Sequence, residues 1–348
     1  MNNRIEYIDA MRGFAMIMVV ICHFFTWSFQ YENPLYIYVN HILQIPLFFM
    51  ISGFFASHML RRSLLSIIWN KFIRLVVPAI IMLSLFVWVF DLNYVEALFH
   101  RFKYGYWFTF VMFGYVIIYV LVSRIFRCLK LSSKTSDCLH LLVGVLITYL
   151  ALASSGLSSK WSFIELFSTV CYTDYFFFAL GAVLYANRNY ILNHLNNKWL
   201  LGGGIILYAI GQIAIAKYGT GSLRFGAGIT RISIVTVALI IIWKLFDSFP
   251  QLSRTSSIGR FFTLVGRRSL DVYFIHYFFI PKDLSSWGLY FQSIDGVFIS
   301  YLSAVGLSIP LIYLSLGIGY ILRLSPFSAQ LLLGTSDNKS NLRASEVK

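Results

Sequence analysis

Two apolar segments of this 348-residue sequence carry the residues whose types and spacing fit chemistry. In the first, Arg12 and His23 are eleven residues apart, so in a helix they share one face, about three turns and about 16.5 Å apart. Asp9 lies close to the same line. An imidazole accepts and returns a proton near neutral pH, and an ionisable group inside a membrane span is a functional candidate because it costs several kcal/mol there. This segment therefore favours a functional site that contains Asp9, Arg12 and His23. The alternative is an arginine that anchors the helix end and a histidine that is hydrogen-bonded inside the bundle.

A second segment, late in the chain, repeats this arrangement. Arg267 and Arg268 stand near its start, and Ser269, Tyr273 and His276 follow at spacings of four and three residues, which place them on one helical face. We therefore predict two parallel helices that bring arginines to one end and histidines to a similar depth. An amphipathic helix at the edge of a bundle is the alternative that the same spacing allows.

Other charged residues form two further candidate groups. Lys71 and Arg74 stand at the start of the third apolar segment, where they either bind an anion together with Arg12 or are ordinary flanking charge. Asp174 and Arg231 fall within the sixth and eighth segments and are a possible ion pair. The sequence contains no spacing typical of metal ligands, so we expect no metal site and no permanently bound cofactor.

The elements that position these residues are membrane helices. Of all residues, 58% are hydrophobic and 12% are charged, and the mean hydropathy is +0.73, whereas a soluble domain averages about 45–50% apolar and about 25% charged. This composition excludes an ordinary soluble enzyme, a disordered chain and a disulfide-stapled secreted module. The formal net charge of +14 is spread over short loops rather than one folded face, so we also expect no nucleic-acid partner.

About ten stretches are apolar and long enough to cross a bilayer, which takes roughly 20 helical residues. We predict an all-α, multi-pass transmembrane helix bundle in one domain, residues 1–330, followed by a polar cytoplasmic tail, residues 331–348. The first stretch is expected to be a retained span, because charged residues interrupt it and no cleavage site follows. The predicted spans are residues 8–28, 35–60, 71–90, 106–127, 138–153, 168–186, 199–216, 226–246, 261–280 and 297–322.

The distribution of basic residues predicts the orientation of these spans. The N-terminus, the C-terminal tail and the loops on their side hold most of the 28 lysines and arginines, and the alternate loops hold few. Cytoplasmic loops of membrane proteins collect Lys and Arg. Both termini are therefore predicted to lie in the cytoplasm.

Several short motifs occur in a fixed order along the chain: Ile8-Asp9-x-x-Arg12-Gly13 with His23 beyond it, Pro46-Leu47-Phe48-Phe49-x-x-Ser52-Gly53-Phe54, Tyr106-Trp107-Phe108, Tyr175-Phe176-Phe177-Phe178-Ala179-Leu180-Gly181, and Ser269-Leu270-x-x-Tyr273-x-x-His276. This ordered set covers nearly the whole chain and resembles the integral-membrane acyltransferase 3 family. The arginine and histidine of that family's first span correspond to Arg12 and His23.

The resemblance implies a ten-helix bacterial inner-membrane enzyme that transfers an acyl group, usually acetyl from acetyl-CoA, to a hydroxyl of a sugar or lipid-linked glycan. His23 is then a general base toward the acceptor hydroxyl or a nucleophile that carries the acyl group, and the sequence leaves both open. Tyr273 and His276 are expected to orient the acceptor or stabilise the oxyanion. The basic residues expected to hold the phosphates of acyl-CoA are Arg12, Lys71, Arg74, Arg267 and Arg268.

The sequence departs from the family's pattern in two respects. Where the family often has Arg-x-x-Arg before the third span, this chain has Lys71-Phe72-Ile73-Arg74. Lysine keeps the charge but lacks the bidentate fork that suits phosphate. Some members also carry a C-terminal periplasmic hydrolase-like domain, which we do not expect here, so the membrane domain alone would serve the acceptor.

Two other classes of function fit the same composition. An exporter or flippase of a polysaccharide or lipid-linked sugar also needs many spans and buried charge, but such transporters commonly show inverted repeats, and no internal symmetry is evident here. A sensor or scaffold has no need of histidines and arginines at matched depths. Acyl transfer by the purified protein would distinguish the predicted enzyme from both.

The orientation can be tested with reporter fusions. We expect a reporter that is active only in the cytoplasm to be active at either terminus, because most basic loops lie on that side. The same reporter in the loop around Lys103 is the control and should be inactive. An inactive reporter at the C-terminus would contradict the ten-span arrangement.

Overall fold

The computed structural model describes residues 6–37, 42–100, 102–158, 173–195, 202–210, 224–252 and 255–335, and over these ranges its regular structure is entirely helical. The predicted all-α class is therefore confirmed. The α-helices are α1 (Glu6–His23), α2 (Ile42–Phe54), α3 (Ala56–Met59), α4 (Leu64–Lys71), α5 (Val77–Val89), α6 (Tyr94–Phe99), α7 (Trp107–Cys128), α8 (Ser133–Ser158), α9 (Tyr175–Ala186), α10 (Arg188–His194), α11 (202–210), α12 (Arg224–Ser248), α13 (Ser257–Arg267), α14 (Ser269–Ile275), α15 (Ser285–Ser293), α16 (Val297–Leu322) and α17 (Pro326–Leu333).

Each of the ten predicted spans overlaps at least one of these helices. Parts of three predicted spans (35–60, 168–186 and 199–216) and residues 336–348 of the predicted tail lie outside the described residues. The number of membrane crossings and the orientation of the termini stay predictions. Within the described ranges, five continuous helical stretches are long and apolar enough to cross a membrane, namely Glu6–Phe29, Leu64–Val89, Trp107–Cys128, Ser133–Ala153 and Val297–Leu322.

The helix that carries Lys71 and Arg74 begins earlier than predicted. It starts at Leu64, where the side chain of Ser63 accepts a hydrogen bond from the Ser66 backbone N–H, and it continues through a π-helical turn into α5. Ser63 is thus the N-cap, a position that serine favours. As a result, both basic residues lie within a helix that is long enough to span a membrane, rather than at its start.

The predicted ninth span is two helices rather than one. The chain leaves helical geometry at Arg268, with φ −116° and ψ 21°, between α13 and α14. It then tightens into a 3₁₀ turn, His276–Phe278, directly after α14. The side chains of this segment therefore do not follow one continuous helical face.

Helix α1 lies at the centre of the bundle. In the stretch Glu6–Phe29, which contains α1, 78% of the most apolar 18 residues are buried. In the other four long stretches the corresponding share is 22–44%. It packs against α13, α2, α12 and α16. The residues that α1 carries are therefore surrounded by protein on most sides.

Two glycines bring α1 and α13 into backbone contact. A Cβ atom at Gly13 would collide with the carbonyl of Phe262, and one at Gly266 would collide with the carbonyl of Asp9. Small residues allow helix backbones to approach this closely. A second crossing of the same kind joins α2 to α9, where Gly53 faces the carbonyl of Phe178.

The α1–α13 contact can be tested by adding one methyl group. We expect Gly13→Ala to lower the free energy of unfolding by about 1–3 kcal/mol, because the new Cβ overlaps the backbone carbonyl of Phe262 and the two helices must move apart. The measurement is thermal unfolding of the purified protein in detergent.

Gly306 provides the matched control, since a Cβ there meets nothing within 4 Å in the middle of α16. Gly306→Ala should leave stability unchanged or raise it by about 0.5–1 kcal/mol, because alanine is the better helix former. Equal effects of the two substitutions would show that the close contact is unimportant.

Candidate active site

A cavity of about 510 Å³ lies beside His23, at the end of α1. We call it the histidine cavity. Ligand sites are usually concave and mostly apolar with a few polar groups, and this cavity fits that description. Polar side chains of its lining include Cys22, Thr26, Gln44 and Ser269. Its aromatic lining consists of Trp27, Tyr36, Phe48, Phe102, Tyr104, Trp107, Phe108, Tyr273 and Tyr277.

The imidazole of His23 is held by a tyrosine and, through it, by a backbone carbonyl. The hydroxyl of Tyr277 lies 3.0 Å from Nε2 of His23 and 3.2 Å from the carbonyl oxygen of Gly105. Tyr273 donates its hydroxyl hydrogen to the same carbonyl at 2.9 Å. Position 105 requires glycine, because its φ is +101° and a Cβ would overlap the Tyr277 ring. The carbonyl of Gly105 is therefore hydrogen-bonded to both tyrosines and holds them close to His23.

His276 lies next to His23 but does not line the histidine cavity. Its side chain is fully buried, its Nδ1 lies 2.7 Å from the carbonyl oxygen of Val272, and its ring centre is 5.3 Å from that of His23. The two predicted helices thus bring their histidines together. Of the two predicted partners of His23, Tyr273 faces the cavity, whereas His276 is packed in the protein interior.

A second cavity, of about 610 Å³, collects basic side chains, and we call it the basic cavity. It lies between α1, the Leu64–Val89 helix and the junction of α13 and α14, and the arginine directly after α16 also lines it. All the residues predicted to hold an anionic donor line it, together with one arginine that was not predicted: Arg12, Lys71, Arg74, Arg267, Arg268 and Arg323.

Asp9 lies among these arginines rather than at the histidine cavity. Its carboxylate is 3.5 Å from Nε of Arg267 and 3.8 Å from Nη1 of Arg12. The prediction grouped it with His23 because both lie on one stripe of α1, but the stripe is about three turns long and the two ends face different cavities. Asp9 is thus in contact with the basic group and not with the histidine.

A buried carboxylate on α14 pairs with Arg323. Nε of Arg323 donates to Oδ2 of Asp271 at 2.8 Å, and Nη2 donates to the other oxygen. Two parallel bonds of this kind are the strong form of an arginine–carboxylate pair. The pair ties α14 to the end of α16 and offsets the negative charge of Asp271 beside the basic cavity.

The two cavities are neighbours. Four residues line both of them: Phe48, Phe108, Ser269 and Leu270. Ser269 is the first residue of α14, directly after the break at Arg268. The two cavities therefore share a wall, and Ser269 is its polar member.

Sequence reasoning missed Tyr277 and Arg323. Tyr277 is four residues after Tyr273, a spacing that places both on one helical face, so the signal was present in the sequence. Arg323 follows the last span, where a basic residue is ordinary, and nothing nearby in the sequence points to Asp271. The predicted ion pair is confirmed, with Nη2 of Arg231 lying 2.7 Å from Oδ1 of Asp174, although neither residue lines the two cavities.

Comparison with known protein families shows which family this chain belongs to. The family described as an acyltransferase domain, acyltransferase 3, matches residues 5–315 of the chain. The chain belongs to the acyltransferase 3 family. No curated protein and no solved structure matches it. The predicted resemblance is thus confirmed, and membership in this family supports a membrane acyltransferase over an exporter or a scaffold. All the residues that line the histidine cavity of this acyltransferase fall within the matched range.

Proposed function

We propose that this acyltransferase moves an acyl group, acetyl in the simplest case, from acyl-CoA to a hydroxyl of a carbohydrate or lipid-linked glycan. The observation that carries the proposal is the common wall between the basic cavity and the histidine cavity. One cavity suits a polyanion, and the other presents an imidazole in apolar surroundings. Acyl transfer from CoA requires a site for the phosphates and a reactive group for the thioester. The length of the CoA molecule sets the distance between these two sites.

The donor would bind with its phosphates in the basic cavity. Arginine suits phosphate because its planar fork makes two parallel hydrogen bonds. The basic cavity contains four guanidinium groups that could bind phosphate in this way, those of Arg12, Arg74, Arg267 and Arg268. The thin pantetheine arm would then pass the wall at Ser269. Along α1, the rise from Arg12 to His23 is about 16.5 Å, so the thioester would lie far from the phosphates.

The acceptor would bind in the histidine cavity. Its aromatic lining suits a sugar, because the C–H faces of a sugar ring pack against aromatic rings, while tyrosine hydroxyls supply polar contacts. His23 would remove the proton from the acceptor hydroxyl as the oxygen attacks the thioester carbonyl. The new C–O bond then replaces the C–S bond, and the proton passes from His23 to the departing sulfur of CoA. Tyr273 lines the same cavity and would orient the acceptor through its hydroxyl oxygen, because its hydroxyl hydrogen is donated to the Gly105 carbonyl.

The proposed chemistry also implies an orientation of the protein in the membrane. Acyl-CoA is a cytoplasmic metabolite, so the basic cavity would open toward the cytoplasm, in agreement with the prediction from basic loops. The protein would then lie in a bacterial inner membrane and modify a glycan of the cell envelope. Mass spectrometry of envelope glycans from cells with and without the gene should reveal a lost acyl increment, and identical spectra would contradict the glycan acceptor.

His23 is the residue on which turnover should depend. We expect His23→Ala and His23→Gln to abolish acyl transfer by the purified protein while acyl-CoA still binds, since a general base contributes a factor of about 10²–10⁴. Glutamine keeps a similar size and hydrogen-bonding capacity but does not take up a proton. A glutamine variant with near wild-type turnover would show that His23 serves packing rather than chemistry.

Arg12 should affect binding of the donor rather than the chemical step. We expect Arg12→Ala to raise the Kd for acyl-CoA about tenfold or more, because one charged hydrogen bond to phosphate contributes about 1.5–3 kcal/mol. The matched control is Arg260→Ala on the same bundle, since Arg260 is exposed and lines neither cavity. Isothermal titration with CoA measures both. If the two variants bind CoA equally well, Arg12 serves its ion pair with Asp9 instead.

A further inference from the structure

We infer that His276 is a positioning residue: its Nε2 accepts a hydrogen bond from the Nδ1–H of His23 and thereby leaves Nε2 of His23 as the reactive nitrogen. The inference rests on the proposed role of His23 in acyl transfer. It assigns a task to a buried histidine that touches neither cavity. It also specifies which of the two ring nitrogens of His23 accepts the proton of the substrate.

The tautomer of His276 follows from its surroundings. Its Nδ1 lies 2.7 Å from the carbonyl oxygen of Val272, one helical turn earlier. A carbonyl oxygen only accepts, so Nδ1 carries the hydrogen. In the neutral ring, Nε2 then holds a lone pair, and this buried nitrogen has no hydrogen-bond partner among the described residues.

His23 presents the complementary atom. Its Nδ1 is also buried and also lacks a partner in the described part of the chain. A buried N–H without an acceptor is rarer in proteins than a buried acceptor without a donor. One unpartnered acceptor on His276 and one unpartnered ring nitrogen on His23 satisfy each other if Nδ1 of His23 carries the hydrogen.

The distance between the two rings suits such a bond. Their centres are 5.3 Å apart and their planes are inclined by 34°. Since each nitrogen lies about 1 Å from the centre of its ring, two nitrogens that face each other would be about 3 Å apart, the length of an N–H···N bond. Catalytic hydrogen bonds are often poorly aligned in the ligand-free state and tighten when substrate binds. The bond therefore requires the rings to turn until Nδ1 of His23 faces Nε2 of His276.

The other side of His23 then becomes functional. With the hydrogen on Nδ1, Nε2 holds the lone pair and accepts from the Tyr277 hydroxyl, which is 3.0 Å away. That hydroxyl has a second acceptor, the Gly105 carbonyl, at 3.2 Å. When an acceptor alcohol enters the histidine cavity, Tyr277 donates to Gly105 instead, and Nε2 is free to take the proton of the alcohol. The proton that arrives is shared with His276 through Nδ1, with no net change in the number of protons.

The pairing can be observed without any catalysis. Histidine-selective ¹⁵N labelling of the full chain in nanodiscs reports which nitrogen of each of the 7 histidines carries hydrogen, and the His23 signals are identified by their loss in His23→Gln. We expect hydrogen on Nδ1 of His23 in the wild type. In His276→Leu, which removes the acceptor, we expect a mixture of tautomers. His276→Gln keeps an acceptor oxygen and should retain the wild-type pattern.

The kinetic readout separates positioning from folding. His276→Leu should lower kcat about 10²-fold, because a misplaced catalytic group costs about that much, while the KM for acyl-CoA stays within about twofold. His276→Gln should recover most of the loss. The control is His140→Leu, which removes another buried histidine, one that is bonded to Ser123 and lines neither cavity. It should leave kcat and the His23 signals unchanged.

Two results would overturn the inference. One is an Nδ1 of His23 that carries no hydrogen in the wild type, both with and without CoA. The other is a His276→Leu variant whose kcat equals that of the wild type. The failure of the pairing and the failure of the proposed function can be distinguished. A wild-type protein that transfers no acyl group refutes the function, whereas its ¹⁵N spectrum still decides the pairing, because that measurement needs no turnover.

Discussion

Backbone contact between α1 and α13 determines where the charged groups of this protein lie. At Gly13 and Gly266 no side chain separates the two helices, and this approach brings the carboxylate of Asp9 to 3.5 Å from the arginine that ends α13. Because α14 follows α13 after a single non-helical residue, the same contact also fixes how Tyr273 and His276 face α1. The basic cavity and the histidine cavity thus depend on one crossing of helices, which only small residues permit.

Buried charges constrain the rest of the bundle. Ionisable groups away from water are tolerated when they are paired. The three buried carboxylates among the described residues each contact an arginine: Asp9 with Arg12 and Arg267, Asp174 with Arg231, and Asp271 with Arg323. Each of the last two pairs joins segments that are distant in the sequence. These pairs fix helix positions as well as neutralising charge, and they leave an excess of positive charge at the basic cavity.

The division of the site into two cavities suits the proposed acyl transfer. A charged donor needs a polar, open region for its phosphates, whereas acyl transfer to an alcohol competes with hydrolysis and benefits from a site that excludes water. The proposed enzyme separates these needs along α1, with arginine at one end and histidine about three turns away. The wall between the cavities consists mainly of apolar side chains, with Ser269 as its polar member.

The sequence by itself determined the helical membrane architecture, the family, and the stripe that joins Arg12 to His23, because hydropathy and helical periodicity are local properties. It also indicated Arg231 as a possible partner of Asp174, and the structure shows their contact. Only the tertiary structure decided that Asp9 lies with the arginines, that Tyr277 and Gly105 hold His23, and that Arg323 neutralises Asp271. The break at Arg268 and the 3₁₀ turn after α14 rotate the following side chains away from a continuous helical face. Contacts between distant segments depend on how helices cross, and no spacing within one segment contains that information.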